Sequence, residues 1–479
     1  PARKVCMSNS ELCILSIDEV SQLLSRKEIS PVTLVKAYLE RIEKFDKKIN
    51  SYVTVLAEQA LSDAQRAERE IASEHWRGPL HGVPIALKDL FDIRGVATTG
   101  GSRIFAGRIA KEDAACVAGL RRAGAIILGK TNMHELAYGA TNEDSASGPT
   151  HNPWALDHIP GGSSGGSGAA VAADLCAGAT GSDTGGSIRV PSALCGVVGL
   201  KPTFGRASRR GVLPLSFTMD HAGPITKAVK DAGLMLQAMA GYDSADTGSV
   251  NQPVPDFTAG IGENIRGLKI ALDPKWALAN LEPGVQTAFE AALDVLRRLG
   301  SQIVEVTVPR ISEGYEAGIT MLACEAAALY EHDLKSRPQD FFPKVRDRLM
   351  KGLGLHGTDY TRARETGEFI RRGLENALET VNLFVTPACG ITATKLGSDT
   401  VVIGGEERSP LSALSWFTRV FDVTGLPAIT IPCGFSAAGL PIGLQFAGPA
   451  WDEALVLRAA FTYEQATDWR RVRPKLVTA

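Results

Sequence analysis

The chain has 479 residues, 44% hydrophobic and 22% charged, with 51 Lys and Arg against 53 Asp and Glu. A chain of this size and balance buries a large core without disulfide or metal staples, which excludes a disordered or disulfide-framed protein. The formal net charge of −2 supplies no pull toward nucleic acid or an anionic membrane surface, and neither is expected as a partner.

In chain order, Ser16-Ile17-Asp18-Glu19 is a capping-box pattern that opens a short helix with Val20, Leu23 and Leu24 on one face. Ser30-Pro31 puts proline in a first helical turn and predicts a helix running to about Ile49. Residues 56–73 read as a third, charged helix, and together these segments form an N-terminal helical layer over residues 16–75. From Gly82 onward short apolar runs alternate with helical patterns. Strands are predicted at residues 85–87, 125–128 and 176–181, and helices at 114–122 and 164–174. Further strands are predicted at 268–272, 302–308, 383–386, 428–432 and 442–446, and long helices at 285–299, 317–334, 360–379 and 452–466. The alternation argues for an α/β fold with a mixed, largely parallel central β-sheet flanked by helices on both faces. Residues 243–267 have the composition of a linker, but the later strands are expected to rejoin the same sheet, so residues 1–479 read as one domain.

Two stretches carry most of the chemistry: Gly161-Gly162-Ser163-Ser164-Gly165-Gly166-Ser167-Gly168 and Gly181-Ser182-Asp183-Thr184-Gly185-Gly186-Ser187-Ile188-Arg189. They gather hydroxyls and small residues whose backbone N–H groups are unhindered. Upstream, Lys88 closes the apolar run Val83-Pro84-Ile85-Ala86-Leu87, where burial disfavours an ammonium ion. Serines, bare amides and a neutral amine are the parts that acyl transfer needs in the absence of histidine. Either Gly/Ser stretch alone is more ordinary as a flexible loop. A G-x-S-x-G nucleophile elbow is disfavoured, because Asn152-Pro153-Trp154 through Ile159-Pro160 is a poor strand. No G-x-x-x-x-G-K-[ST] phosphate loop is present. His81, His134 and His151 lack ligand spacing and read as structural, so no metal is expected. Lys130 and Lys201 read as structural or surface lysines, since neither closes an apolar strand as Lys88 does.

These residues stand in an ordered series. His81-Gly82-Val83-Pro84-Ile85-Ala86-Leu87-Lys88-Asp89, Gly129-Lys130-Thr131-Asn132-Met133 and His151-Asn152-Pro153-Trp154 lead into the two Gly/Ser stretches. Gly199-Leu200-Lys201-Pro202-Thr203, Gly425-Leu426-Pro427-Ala428 and Pro441-Ile442-Gly443-Leu444-Gln445 follow. Over nearly its whole length the chain resembles the amidase signature family of serine hydrolases. The resemblance implies a Ser–cis-Ser–Lys triad, with Ser187 as nucleophile, Ser163 as the bridging serine after a cis peptide bond, and Lys88 as base. Neutral Lys88 would draw a proton from Ser187 through Ser163 and return it to the leaving amine. The resemblance further implies an oxyanion hole of the backbone N–H groups of Thr184, Gly185, Gly186 and Ser187. Ser164, Asp183 and Arg189 take supporting roles, Tyr138 and Gly139 line the acyl pocket, with core packing an equal alternative for Tyr138, and no cofactor is required. Pocket shape is expected to vary with residues 310–415.

Two functions share such a triad. One is a stand-alone amidase that forms an acyl-Ser187 intermediate. The other is the A subunit of a tRNA-dependent amidotransferase, a glutaminase that works with partner subunits and passes ammonia to an aminoacyl-tRNA. The amidotransferase pattern carries an aspartate ten residues before Gly425 to hold the amino group of glutamine; here that place is Ser415. A neutral serine beside Trp416 and Phe417 suits an apolar or aryl substrate, which adds Trp416 to the expected pocket. Lys88-Asp89-Leu90-Phe91-Asp92 and Thr418 to Gly425 also resemble the stand-alone hydrolases, although Asp422 replaces their asparagine. The expectation is therefore an amidase cleaving the C–N bond of a small or aryl amide, with carbamates (urethanes) and esters as related substrates. Its partner would be a small-molecule amide or carbamate, with no nucleic acid and no membrane, and the resemblance allows a homodimer. Eight cysteines, at positions 6, 13, 116, 176, 195, 324, 389 and 433, form no CxxC pair, and no apolar run reaches the roughly 18 residues of a spanning helix. Ser8-Asn9-Ser10-Glu11 interrupts any signal-peptide core, so a cytoplasmic location is expected.

Overall fold

The computed structural model describes residues 7–478; Cys6 lies outside them. The strands in chain order are β1 (Tyr52–Val55), β2 (Pro84–Lys88), β3 (Ile126–Thr131), β4 (Gly178–Asp183), β5 (Val198–Lys201), β6 (His221–Thr226), β7 (Lys269–Leu272), β8 (Gln302–Glu305), β9 (Leu383–Pro387), β10 (Val401–Ile403), β11 (Glu406–Arg408), β12 (Ala428–Phe435) and β13 (Pro441–Ala447). Eleven of them form one mixed sheet in the order β1-β3-β2-β4-β6-β5-β12-β13-β9-β7-β8, and β10 and β11 make a separate hairpin. Pairing is parallel for β3-β2-β4 and for β9-β7-β8, and antiparallel between those groups. The C-terminal strands do rejoin the sheet, through β12 against β5.

Helices cover both faces of this sheet, and the two-residue period of its strands shows how. Ile429 and Ile431 of β12 enter a core with Phe289, Leu293, Val456 and Tyr463 on one side. Ala428 of the same strand joins Phe417, Phe421 and Ile370 on the other. A larger core lies under the N-terminal helices, where Val20, Leu24, Leu34 and Tyr38 meet Ile85, Leu87 and Leu128. Those helices begin where their caps require. Glu19 N–H donates to Ser16 Oγ, and Ser16 N–H donates at 2.8 Å to the Glu19 carboxylate. Ser30 and Pro31 open the helix Pro31–Ile49, which ends at Asn50 in the left-handed conformation.

Residues 243–267 are not a free linker, because Phe257 and Ile265 are fully buried in the β12 core. Among the described residues no helix is long and apolar enough to cross a membrane, and no His/Cys/Asp/Glu group could hold a metal ion.

Candidate active site

The site forms where β2 and β4 end side by side. Lys88 is the last residue of β2 and is 0% exposed. Its Nζ donates to Ser163 Oγ at 2.7 Å and to Ser182 Oγ at 2.8 Å. Its backbone N–H donates to Thr180 Oγ1 at 3.1 Å. Thr180 and Ser182 are two apart on β4, and alternation puts both on one face. Burial pushes the Lys88 ammonium down to about 7, against a smaller opposing pull from Asp183 and Asp220.

Ser163 stands just before the helix Gly165–Ala172, and the Gly162–Ser163 peptide bond is cis. Its carbonyl accepts from His134 N–H at 3.0 Å. Ser187, 8% exposed, sits in the turn between β4 and the helix Arg189–Cys195. The two Gly/Ser loops are tied together, since Ser164 N–H donates to the Ser187 carbonyl and Ser164 Oγ to the Ser182 carbonyl, both at 3.3 Å.

Asp183 organises the second loop. Its carboxylate accepts from the backbone N–H of Gly186 at 2.5 Å and of Ile188 at 3.1 Å, and from Arg189 Nε at 2.9 Å. Burial alone would raise its pKa, but the Arg189 guanidinium overrides it and holds the carboxyl well below the usual range. Arg189 is itself fully buried and donates onward to Asp422 at 2.7 Å and to Thr418 O and Gln445 Oε1 at 2.8 Å each. Burial, then the neighbouring Asp183 charge, pushes the Asp422 carboxyl well up. Asp422 stands where the family resemblance puts an asparagine.

Of the four amides expected in an oxyanion hole, the Gly186 N–H is committed to Asp183. Those of Thr184, Gly185 and Ser187 have no protein acceptor among the described residues. Gly186 has φ +122°, and a β-carbon there would lie 2.2 Å from Thr418 Oγ1, so this turn needs glycine. Gly139 is equally constrained, with a β-carbon placed 2.1 Å from His134 Nε2.

The cavity over Ser187 is walled by Tyr138, Gly139, Thr184, Gly185, Ser415 and Arg419, among others. A second cavity of about 210 Å³, lined by Ser182, Asp220 and His221, shares Ala137, Thr184 and Leu215 with the first. Trp416 and Phe417 turn away from both. The Trp416 ring lies against Tyr315 at 5.5 Å, and Phe417 is fully buried against Trp276.

Three lysines, not one, are fully buried on strands. Lys201 closes β5 and is pushed down by burial to about 7, and Lys130 lies on β3. Strand position therefore does not single out Lys88; its partners do. Lys201 Nζ meets Pro202 O and His221 Nε2, and Lys130 Nζ meets Phe91 O, Thr98 Oγ1 and the Asp89 carboxylate. Of the three, only Lys88 donates to two serine hydroxyls of the Gly/Ser loops. Ser182 and Arg419 belong to the site without being among the residues expected there. Extending the predicted strand 176–181 by two residues brings Ser182 to the Lys88 face, and Arg419 lies one helical turn after Ser415.

The family model described as Amidase matches residues 33–457. The A subunit of the glutamyl-tRNA(Gln) amidotransferase of Syntrophobacter fumaroxidans is 40% identical over 484 residues, covering 96% of this chain and 98% of that protein. A chain from a vestigial protein complex that reveals the origins of an s-triazine catabolic enzyme superposes with TM-score 0.92 at 34% identity, covering 96% of this chain and all of that one. The crystal structure of the A subunit of the glutamyl-tRNA(Gln) amidotransferase of Thermotoga maritima superposes with TM-score 0.80 at 33% identity, covering 96% of each chain.

These relatives overturn two expectations. The stand-alone amidase for small or aryl amides gives way to its alternative, because near-full-length relatives are amidotransferase subunits. That expectation rests on neutral Ser415, on the aromatic rings beside it and on two hydrolase-like stretches; Ser415 does line the cavity, but the rings pack away from it. The exclusion of nucleic acid and of any partner beyond a small molecule falls with it, since those relatives are named for a tRNA. Net charge averages a whole chain, and one member of an assembly need not itself carry the charge that attracts RNA. A carbamate or urethane substrate finds no support among these relatives.

Proposed function

The chain belongs to the amidase signature family, whose enzymes act on carbon–nitrogen bonds, and we propose that it is the glutaminase subunit of a tRNA-dependent amidotransferase. In this reading it frees the side-chain amide nitrogen of glutamine as ammonia, which partner subunits pass to glutamate carried on tRNA. The observation that carries the reading is 40% identity to amidotransferase A subunits along almost the full length of both chains.

The contact of Lys88 with Ser163 supports a relay mechanism for this reading. Neutral Lys88 accepts the Ser163 hydroxyl proton while Ser163 takes the proton of Ser187, and Ser187 Oγ attacks the carboxamide carbon. The backbone N–H groups of Thr184, Gly185 and Ser187 face no protein acceptor among the described residues and receive the negative charge on the carbonyl oxygen; one such donor contributes about 2.7–4 kcal/mol to the transition state. The C–N bond then breaks, the relay returns its proton to the leaving nitrogen, and ammonia departs from a Ser187 ester. Water, deprotonated by the same relay, cleaves the ester to glutamate. The second cavity, on the Ser182 side, gives ammonia a volume of about 210 Å³ to enter. A cytoplasmic location accompanies this reading, with the seven described cysteines all free.

The test is ammonia release from glutamine by the chain alone and with amidotransferase partner subunits and glutamyl-tRNA(Gln), with Ser187→Ala as control. We expect release that the full assembly stimulates and that the variant lowers by at least about 10⁴-fold. Ser187→Ala keeps the backbone carbonyl that accepts from Ser164, so the fold should survive. Absence of glutamine turnover in every mixture would overturn the reading.

A further inference from the structure

Arg419 is 3% exposed, lines the cavity over Ser187, and has no carboxylate partner among the described residues. Its Nε and Nη1 make no hydrogen bond to any described residue, and its side chain has one long polar contact, Nη2 to Ser415 Oγ at 3.4 Å. Ser415 Oγ spends its own proton on Leu411 O at 2.7 Å. The side chain is nevertheless held in place. A β-carbon at Gly318 would sit 2.8 Å from the Arg419 stem, and the guanidinium lies 5.5 Å from the Tyr315 ring centroid. Its Nη1 reaches over the oxyanion loop, where a β-carbon at Gly185 would come within 2.5 Å of it. A second cation, Arg348, donates to the Tyr138 carbonyl and lies 5.8 Å from the Tyr138 ring centroid. Among the described residues no Asp or Glu lines this cavity.

A buried cation without a counter-ion is strongly unfavourable, and proteins keep one where a ligand supplies the opposite charge. The planar fork of an arginine matches a carboxylate with two parallel N–H donors. We propose that Arg419 holds a carboxylate on the acyl part of the substrate, making it the specificity-determining residue of this site, and that no acidic group balances a substrate ammonium. The substrate class is then an amide whose acyl chain ends in a carboxylate, with or without an α-amino group. This rests on the proposed amide chemistry at Ser187 but not on glutamine itself.

The experiment compares glutamine, glutaramate (its analogue without the amino group) and neutral valeramide, on the full chain and in the assembly, for wild type, Arg419→Met and Arg419→Lys. Labelling of Ser187 by a neutral fluorophosphonate reports separately on fold and relay. We expect Arg419→Met to lower the kcat/KM ratio of glutaramate over valeramide by about 100-fold, chiefly through KM, as for a lost charge-assisted hydrogen bond. Arg419→Lys should restore part of that ratio, and both variants should still be labelled. Equal loss on glutaramate and valeramide with labelling retained would overturn the proposal. Loss of labelling in both variants, showing that Arg419 serves the loop itself, would overturn it too. Turnover of glutaramate without glutamine, with the ratio lost in Arg419→Met, would support Arg419 while defeating the glutaminase reading.

Discussion

Lys88, Lys130 and Lys201 are all fully buried on strands, and what their ammonium groups touch is what makes Lys88 the base of the proposed mechanism. Lys130 ends on a carboxylate and Lys201 beside a histidine, whereas Lys88 ends on two hydroxyls. Under the proposed mechanism Lys88 works unprotonated, and burial lowers its pKa to about 7. The rate should therefore rise tenfold per pH unit on the acid side and level off above about pH 7, as read from kcat/KM against pH. The same shift has a stability sign. The unfolded chain keeps the Lys88 proton up to its ordinary value near 10.5, and the folded chain releases it at about 7. Wild-type stability relative to Lys88→Met should thus climb with pH across that window, with the Met variant the more stable below it, as measured by denaturant titration. Equal pH dependence of the two proteins would contradict a buried, depressed lysine. Positions 88, 163 and 187 are legible in the sequence through motif order. Arg419 is not, because its lack of a partner is a property of the surrounding surfaces and leaves no mark on the local pattern.

At the level of elements, β4 shows how a short error of register hides a side chain of the candidate site. Residues 176–181 satisfy the apolar criterion, but the strand is Gly178–Asp183, and its last step of alternation carries Ser182 to Lys88. Ser182 accepts a hydrogen bond that favours the charged amine, so Ser182→Ala should move the acidic limb of the pH profile to lower pH while leaving Ser163 in contact. A limb that stays in place would assign Ser182 a packing role. Other elements are readable where local chemistry agrees with the fold: Ser16 and Glu19 at a helix start, Pro31 in a first turn, apolar β12 and β13. β6 escapes the pattern because Gly223 and Pro224 erase strand character from an element that is central in the sheet. β5 escapes it because it is four residues long and contains Gly199.

Over the whole molecule, the second Gly/Ser loop is anchored to residues more than two hundred positions away. Arg189 binds Asp183 of β4, Thr418 and Asp422 of the C-terminal helices, and Gln445 of β13, all out of contact with water. Arg189→Met would leave Asp183 charged and unpaired, and should lower stability by about 3–5 kcal/mol in urea denaturation. A loss below about 1 kcal/mol would show that the cluster relaxes without it. Neither composition nor charge announces such a cluster, since it depends on β12 closing against β5. For the same reason the −2 net charge is a poor guide to partners.

The same anchoring has a consequence during synthesis. Lys88, Ser163 and Ser187 all leave the ribosome long before Thr418, Asp422 and Gln445 do. Until those last partners arrive, Arg189 has its local contact with Asp183 but lacks the acceptors at Thr418, Asp422 and Gln445 that tie it to the rest of the molecule. A fragment that ends before Thr418 would keep the Asp183 contacts of that turn and lose its anchor in the C-terminal part of the chain.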